Sequence, residues 1–254
     1  MFLHPTTVYG PVHSRRLGPS LGINLLPGKR KVCNFECIYC ECGWTDTAIK
    51  DNLPTASEFE AACENKLKSM RESGEALNYI SFAGNGEPTL HPEFDTVIEI
   101  TLKLRQQYYP KARIAVFSNA TRLNLSNVFD ALKKIDDRIL KLDAGTEKMF
   151  RLIDMPDNGI TLDSITKNLS QLNGDVTIQS MFLRGEFRGH FIDNTTGHET
   201  DAWIERLKII HPKMVMLYSL DRQPPAENLE KISKTELESI VKKVNEAGIP
   251  AEAF

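Results

Sequence analysis

The sequence predicts an α/β fold, a partial (β/α)6 barrel, on three observations. Six short β-rich runs alternate with helical patterns along 254 residues. Most of these runs are apolar at both parities, as strands covered on two faces are. The residues with unusual chemistry fall at or just after strand ends, where parallel sheets place their ligand sites. Six strands leave a barrel open, and a doubly wound open sheet is the competing arrangement.

The runs are LGINLL (21–26), LNYISFAG (77–84), ARIAVFSN (112–119), DRILKLDAG (137–145), DVTIQSMFLRG (175–185) and PKMVMLYSL (212–220). Between the first two lies TASEFEAACENKLKSMRES, whose Ser57 and Glu60 have the spacing of a capping box. Helical patterns follow at 93–108 and 124–135. TEKMFRLI and TLDSITKNLSQL share the next interval, and TDAWIERLKII closes the fifth. In the tail, Thr235 and Glu238 form a second expected capping box and Gly248 a stop. No linker divides the chain, so residues 21–254 are expected to form a single domain after an extended N-terminal extension, residues 1–20.

Lys plus Arg number 31 and Asp plus Glu 34, for a net charge of -3, which gives no global electrostatic argument for nucleic acid. The N-terminus lacks the pattern of a signal peptide, and no apolar run has the length of a bilayer span. Cysteine usage does not look like a disulfide framework, and a reducing, cytoplasmic setting is expected. The six histidines are scattered, and neither a nucleophile elbow nor GxGxxG is present.

The densest feature is CNFECIYCEC, residues 33 to 42, which holds four of the five cysteines. Zinc ribbons usually build their site from two separated ligand pairs, and no second pair exists here. Three thiolates on one tight loop suit an iron–sulfur cluster better. Two readings are open: a cluster with one iron left for a ligand, or zinc or an electron-transfer cluster in a binding protein. Cys42 lies too near Cys40 to be an easy fourth ligand. It is read as a neighbouring thiol, with protection of the cluster or chemistry as the alternatives. Cys63 sits alone in a helical pattern as a small buried hydrophobe.

CxxxCxxC with Tyr39 before the last cysteine resembles the cluster motif of the radical SAM superfamily. FAGNGEPTLHPEF (82–94) resembles its GGE motif after the second strand, with Gly86 and Glu87 at the last two positions and Asn85, after Gly84, replacing the first glycine. SNAT after the third strand and LDAG after the fourth extend the likeness over most of the chain. The opening, VYGPVHSRRLGPSLGINLLP…KVCNFECIYCE, is similar to the iron–sulfur oxidoreductases grouped with tRNA wyosine synthase. The synthases of that group carry a second cluster on upstream cysteines, and no cysteine precedes Cys33 here.

The resemblance implies a radical SAM barrel in which Cys33, Cys37 and Cys40 hold a [4Fe–4S] cluster and S-adenosylmethionine (SAM) chelates the fourth iron. Reductive cleavage would give a 5′-deoxyadenosyl radical that abstracts hydrogen from a substrate, with a tRNA base as one candidate. A reducing partner such as flavodoxin or ferredoxin is expected, and no membrane.

Gly84 and Gly86 would let the backbone pass close to SAM, with Asn85 beside them, and Glu87 would accept from its ammonium. Ser118 and Asn119 would fix ribose or carboxylate, although Asn119 also suits a local cap. Asp143 would meet ribose, a cation or substrate. Lys141 has the same strand parity, so an internal Lys–Asp pair is the other reading. Tyr39 would pack on adenine or merely near the loop. Arg184, Glu186, Arg188 and His190 after the fifth strand, and Asp221 and Arg222 after the sixth, are substrate-contact candidates or solvated charge. Lys141, Arg184, Glu186 and Cys42 form the expected catalytic set. Arg15 and Arg16, with Lys29, Arg30 and Lys31, would meet phosphates or water.

Overall fold

The computed structural model describes residues 2–14 and 16–254, so Arg15 lies outside the described residues. Strand β1 (Val8–Ser14) pairs antiparallel with β2 (Gly18–Ile23), with a register shift between Tyr9 and Val12. Parallel pairing then runs through β3 (Tyr79–Phe82), β4 (Arg113–Ser118), β5 (Asp137–Lys141) and β6 (Thr177–Met181). β7 (Leu183–Phe187) and β8 (His190–Asp193) leave this sheet, which resumes at β9 (Met214–Tyr218). β10 (Leu229–Lys231) pairs with β7, and β11 (Ala251–Ala253) lies parallel to β9. The main sheet has the order β1-β2-β3-β4-β5-β6-β9-β11, and a small antiparallel sheet has the order β10-β7-β8.

All six predicted strands are present. The run at 175–185 breaks into β6 and β7 at Phe182, whose N–H donates to Tyr218 and whose carbonyl accepts from Ser219. Two strands of the main sheet went unread. β1 belongs to the expected N-terminal extension and contains Pro11, which is tolerated because β1 is an edge. β11 has only three residues and no β-branched side chain.

The sheet is open between β1 and β11, yet it curls strongly. Arg16, in the turn after β1, lies 5.4 Å from the ring of Tyr218 on β9 and 6.0 Å from that of Phe254, just past β11. Two opposite edges therefore approach one guanidinium, as they do in a partial barrel.

The crossovers carry α1 (Ala56–Glu72), α2 (Phe94–Tyr108), α3 (Ser126–Lys133), α4 (Glu147–Ile153), α5 (Leu162–Ser170), α6 (Gly197–Ile210) and α7 (Lys234–Glu246). α1 buries Phe59, Cys63, Leu67 and Met70 at helical spacing, so Cys63 is a core residue. Both expected capping boxes shift by two residues, to Thr55 with Glu58 and Ser233 with Glu236. Each region contains two overlapping S/T-x-x-E patterns. The upstream one adds helical hydrogen bonds at its end, and nucleation is already met. Gly248, at φ +82°, ends α7 as expected.

Candidate cofactor site at the barrel mouth

The loop between β2 and α1 carries the cysteines and is tied down on two sides. Val32 N–H donates to the Asn85 carbonyl (2.8 Å) and Glu87 N–H donates to the Val32 carbonyl (3.0 Å), which joins the loop to the end of β3. Ile38 N–H donates to the Ile153 carbonyl (2.9 Å), which joins it to α4. Between these ties lies a cavity of about 170 Å³. Cys33, Cys37, Cys40 and Cys42 line it with Tyr39, Gly84, Gly86, Glu87, Ser118, Asn119 and Lys141.

The glycines serve the fold before any ligand. A Cβ on Gly86, at φ +132°, would sit 1.9 Å from the Val32 carbonyl oxygen. A Cβ on Gly84 would sit 2.4 Å from Asn24 Oδ1. Their lack of side chains lets the cysteine loop dock on the strand ends.

Glu87 is buried and accepts four hydrogen bonds. Its Oε1 accepts from Thr89 N (3.0 Å), Thr89 Oγ1 (2.5 Å) and Ser118 Oγ (2.8 Å), and its Oε2 accepts from Asn119 N (2.6 Å). Burial pushes its carboxyl upward, while these donors favour the charged form. The carboxylate thus clamps β3 to β4.

Asn85 departs further from expectation. Its Oδ1 accepts from His4 N, and its Nδ2 donates to the carbonyls of His4 (2.9 Å) and Pro27 (2.7 Å), so its side chain anchors the N-terminal segment. Asn119 Nδ2 donates to Asn34 Oδ1 (2.7 Å) and lies 3.8 Å from Cys33 Sγ. Asn119 Oδ1 also accepts from Thr121 N, in the local turn that was its alternative reading.

Behind Cys37 lies a buried charge network. Lys141 Nζ is 2.6 Å from Asp143 Oδ2 and 3.6 Å from Asp154 Oδ1, so the internal Lys–Asp pair exists. Tyr39 donates its hydroxyl to Asp143, and Lys141 Nζ lies 4.5 Å from the Tyr39 ring centroid. Tyr39 is therefore fixed by this network. Cys37 Sγ is 3.3 Å from Asp154 Oδ1. Asp154 Oδ2 is buried without a partner, and burial, with the nearby Asp143 charge, raises its carboxyl to about 8. Lys141 holds its charge despite burial because Asp143, Cys37 and Asp154 surround it.

Thiol chemistry differs along the loop. Burial pushes Cys33 up to about 12. The Cys42 thiol donates to the Gly84 carbonyl (3.4 Å), and its interaction with Cys40 pulls the Cys40 thiol down and pushes Cys42 up. Lys31, a buried cation beside this loop, contacts Glu36 Oε2 (3.5 Å) and the Gly43 carbonyl (3.3 Å). Burial opposes its charge, and the sulfurs of Cys40, Cys33 and Cys37 restore it. The sequence reading gives Lys31, with Lys29 and Arg30, to phosphates or to water; in the fold it lines the cavity.

Arg184 and Glu186 do not line this cavity. Both lie on β7 in the small sheet, where Arg184 pairs with Glu236 Oε1 (2.6 Å) and Glu186 is exposed. Missed residues include Phe35, Phe117, Ile139 and Gln179, which line the cavity, and Asp154 behind it. Gln179 had a signal, as the polar residue inside an apolar strand. Asp154 had none, since only the docking of α4 brings it to the loop.

A cavity lined by four cysteines at the C-terminal ends of parallel strands, walled by glycine backbone, is the arrangement of a cofactor-dependent α/β-barrel enzyme. Residues 31–195 match the Radical SAM superfamily, and the chain belongs to it. Members of this superfamily typically perform SAM-dependent radical chemistry with a [4Fe–4S] cluster and a reductant.

The chain is 28% identical over 252 residues to a protein named GTPase Obg of Brachyspira hyodysenteriae, covering 96% of this chain and 34% of that protein. It is 28% identical over 242 residues to a UPF0026 protein of Methanocaldococcus jannaschii, covering 91% and 68%. A radical SAM methyltransferase from Sphaerobacter thermophilus superposes with a TM-score of 0.64 at 18% identity, over 92% of this chain and 65% of that one. Archaeal TYW1 superposes with a TM-score of 0.53 at 16% identity, over 90% and 72%. The chain thus spans about a third of the first relative and just under two thirds of the methyltransferase. Among the described residues, no helix is long and apolar enough to cross a membrane.

Proposed function

We propose that this chain cleaves SAM reductively at a [4Fe–4S] cluster held by Cys33, Cys37 and Cys40, and removes a hydrogen atom from a tRNA base. The observation that carries the cluster is the convergence of these thiols on one cavity, with soft donors suited to iron–sulfur binding. When bound, such a cluster supplies one electron to the sulfonium of SAM.

The remaining work falls to the protein. Phe35, Phe117 and Ile139 give the cavity an apolar wall that excludes water from a reactive species. Gly84 and Gly86 expose backbone for close approach of SAM. Glu87 holds Ser118 and Asn119 at the rim. Lys141 and Tyr39, locked by Asp143, present a cation and a phenol ring to the cavity. Cys42 is a neighbouring thiol beside Cys40 on the cavity wall. The tRNA assignment is supported by the likeness of the opening segment to the wyosine group. A cytoplasmic setting and a flavodoxin or ferredoxin donor complete the reading.

Anaerobic reconstitution tests it. About four irons per chain and 5′-deoxyadenosine formation on reduction are expected. Cys33→Ala, Cys37→Ala or Cys40→Ala lowers that formation more than about 100-fold, since even second-shell changes at metal sites cost up to about that much. A colourless protein with one zinc, or no SAM cleavage by a fully loaded protein, overturns it. A deuterated tRNA that transfers no label to 5′-deoxyadenosine, where another substrate does, overturns the tRNA assignment alone.

A further inference from the structure

Two lysines line the cysteine cavity, and their charges are met differently. Lys141 stands between two buried carboxylates, 2.6 Å from Asp143 Oδ2 and 3.6 Å from Asp154 Oδ1. Lys31 pairs with one carboxylate, Glu36, at 3.5 Å. That pair is lopsided. The Lys31 side chain is 1% exposed and lines the cavity, whereas the Glu36 side chain is 28% exposed and does not line it. Glu36 also turns its oxygens to Thr45, accepting from the backbone N–H (3.1 Å) and from the hydroxyl. The cation is thus the end of the pair that meets the cavity.

Local structure puts it there. Val32 forms a β-bridge to Gly86, just past β3. In an extended stretch the residues on either side of Val32 share a face, and Lys31 and Cys33 both reach the cavity wall. The ammonium also meets the Gly43 carbonyl (3.3 Å), just past Cys40, so it ties the start of the cysteine loop to its end. A lysine ammonium has three protons to donate, and Gly43 and Glu36 take two. The third has no acceptor among the described residues.

We propose that Lys31 tunes the cluster: its buried positive charge raises the reduction potential and so favours entry of the electron that SAM cleavage needs. This rests on the cluster reading above. One-electron reduction adds a negative charge to a group already held by three thiolates, and the net charge around a cluster is among the factors that set its potential. A cation shielded from water acts on that charge with little screening. Lys141 contributes less, because two carboxylates flank it. Groups just outside a metal's own ligands commonly tune the metal in this way.

The test uses the full chain, reconstituted anaerobically without SAM. The cluster is titrated with dithionite against mediator dyes, and the reduced fraction is read by electron paramagnetic resonance. Lys31→Met and Lys31→Gln are each expected to shift the reduction equilibrium at least about ten-fold toward the oxidised cluster, about 59 mV downward for one electron. Glu36→Gln keeps the shape of its partner and loses the negative charge, so it is expected to shift the equilibrium upward, by about two- to three-fold because the carboxylate is partly in water. Lys29→Met removes an exposed cation of the same run and should change it less than about two-fold.

Opposite signs at Lys31 and Glu36 support a charge effect, whereas damage to the loop would move both the same way and overturn the proposal. An unchanged potential in the Lys31 variants overturns it. So does loss of iron uptake by both, which would make Lys31 a support of the loop. An unchanged potential with weakened SAM binding in calorimetry also overturns it, and would give Lys31 to the SAM carboxylate. SAM cleavage by the unaltered protein is read separately. Cleavage with no shift in the variants overturns the tuning and leaves the radical SAM reading. A shift in a fully loaded protein that cannot cleave SAM overturns that reading and leaves the tuning. An unaltered protein that takes up no iron–sulfur cluster overturns both.

Discussion

The cysteine cavity and the small β10-β7-β8 sheet both gather reactive side chains, and the fold treats them in opposite ways. At the cavity, residues from the ends of β3, β4, β5 and β6 meet a loop that precedes them all, and polar groups are buried against one another. In the small sheet, Arg184 turns outward to Glu236 and Asp193, Glu186 is exposed, and Trp44 stacks on Phe187 at 5.7 Å. The difference is one of topology. Parallel strands with crossover helices aim their ends at one mouth. An antiparallel excursion satisfies its charges with its own neighbours.

Four changes break or sharpen this contrast. Lys141→Met leaves Asp143 and Asp154 buried around a lost cation, and is expected to destabilise the protein by about 3–5 kcal/mol in denaturant unfolding. A loss below about 1 kcal/mol would show that the network is not built on its charge. Gly86→Ala drives a methyl group into the Val32 carbonyl at a positive φ. It should cost more than about 3 kcal/mol, and iron uptake should fall with it.

Glu87→Gln keeps the shape of the strand clamp but places an amide donor among donors, for an expected loss of about 1–3 kcal/mol. Arg184→Met sits at the other end of the scale. It should cost under about 1 kcal/mol and change SAM cleavage less than about two-fold. A large loss of SAM cleavage there would join the two regions that the fold separates.

The same surface pair has a pH signature. Hydrogen bonds from Ser233 and then Arg184 hold Glu236 down to about 2, below its usual 4.5. The folded state therefore favours the charged carboxylate. Its contribution is fully present above about pH 4.5 and is lost as pH falls through about 2. Carboxyl NMR of Glu236 checks this, and Arg184→Met should move its midpoint upward.

Much of the cavity was legible because its signals are local. Cys33, Cys37 and Cys40 sit within eight residues, and Gly84 to Glu87 follow a strand directly. What the sequence left open was direction. Asn85 and Glu87 stand in the expected motif, yet one anchors His4 and the other clamps Ser118 and Asn119. Motif letters do not say which way a side chain points, and a buried polar group turns to whichever partners satisfy it. The placement of Arg184 was hidden for a related reason, because charge just after an apolar run does not reveal that the run breaks into two strands.

By itself, the sequence determined the α/β class, the order of six parallel strands, the thiol trio and the superfamily. These follow from periodicity and short spacings, which neighbouring residues impose on each other. Only tertiary structure decided that β1 and β11 extend the sheet, that Asp154 stands behind Cys37, and that Arg16 meets the rings of Phe117, Tyr218 and Phe254. Each of those depends on segments far apart in the chain meeting when the sheet curls, and burial there fixes partners that no local pattern encodes.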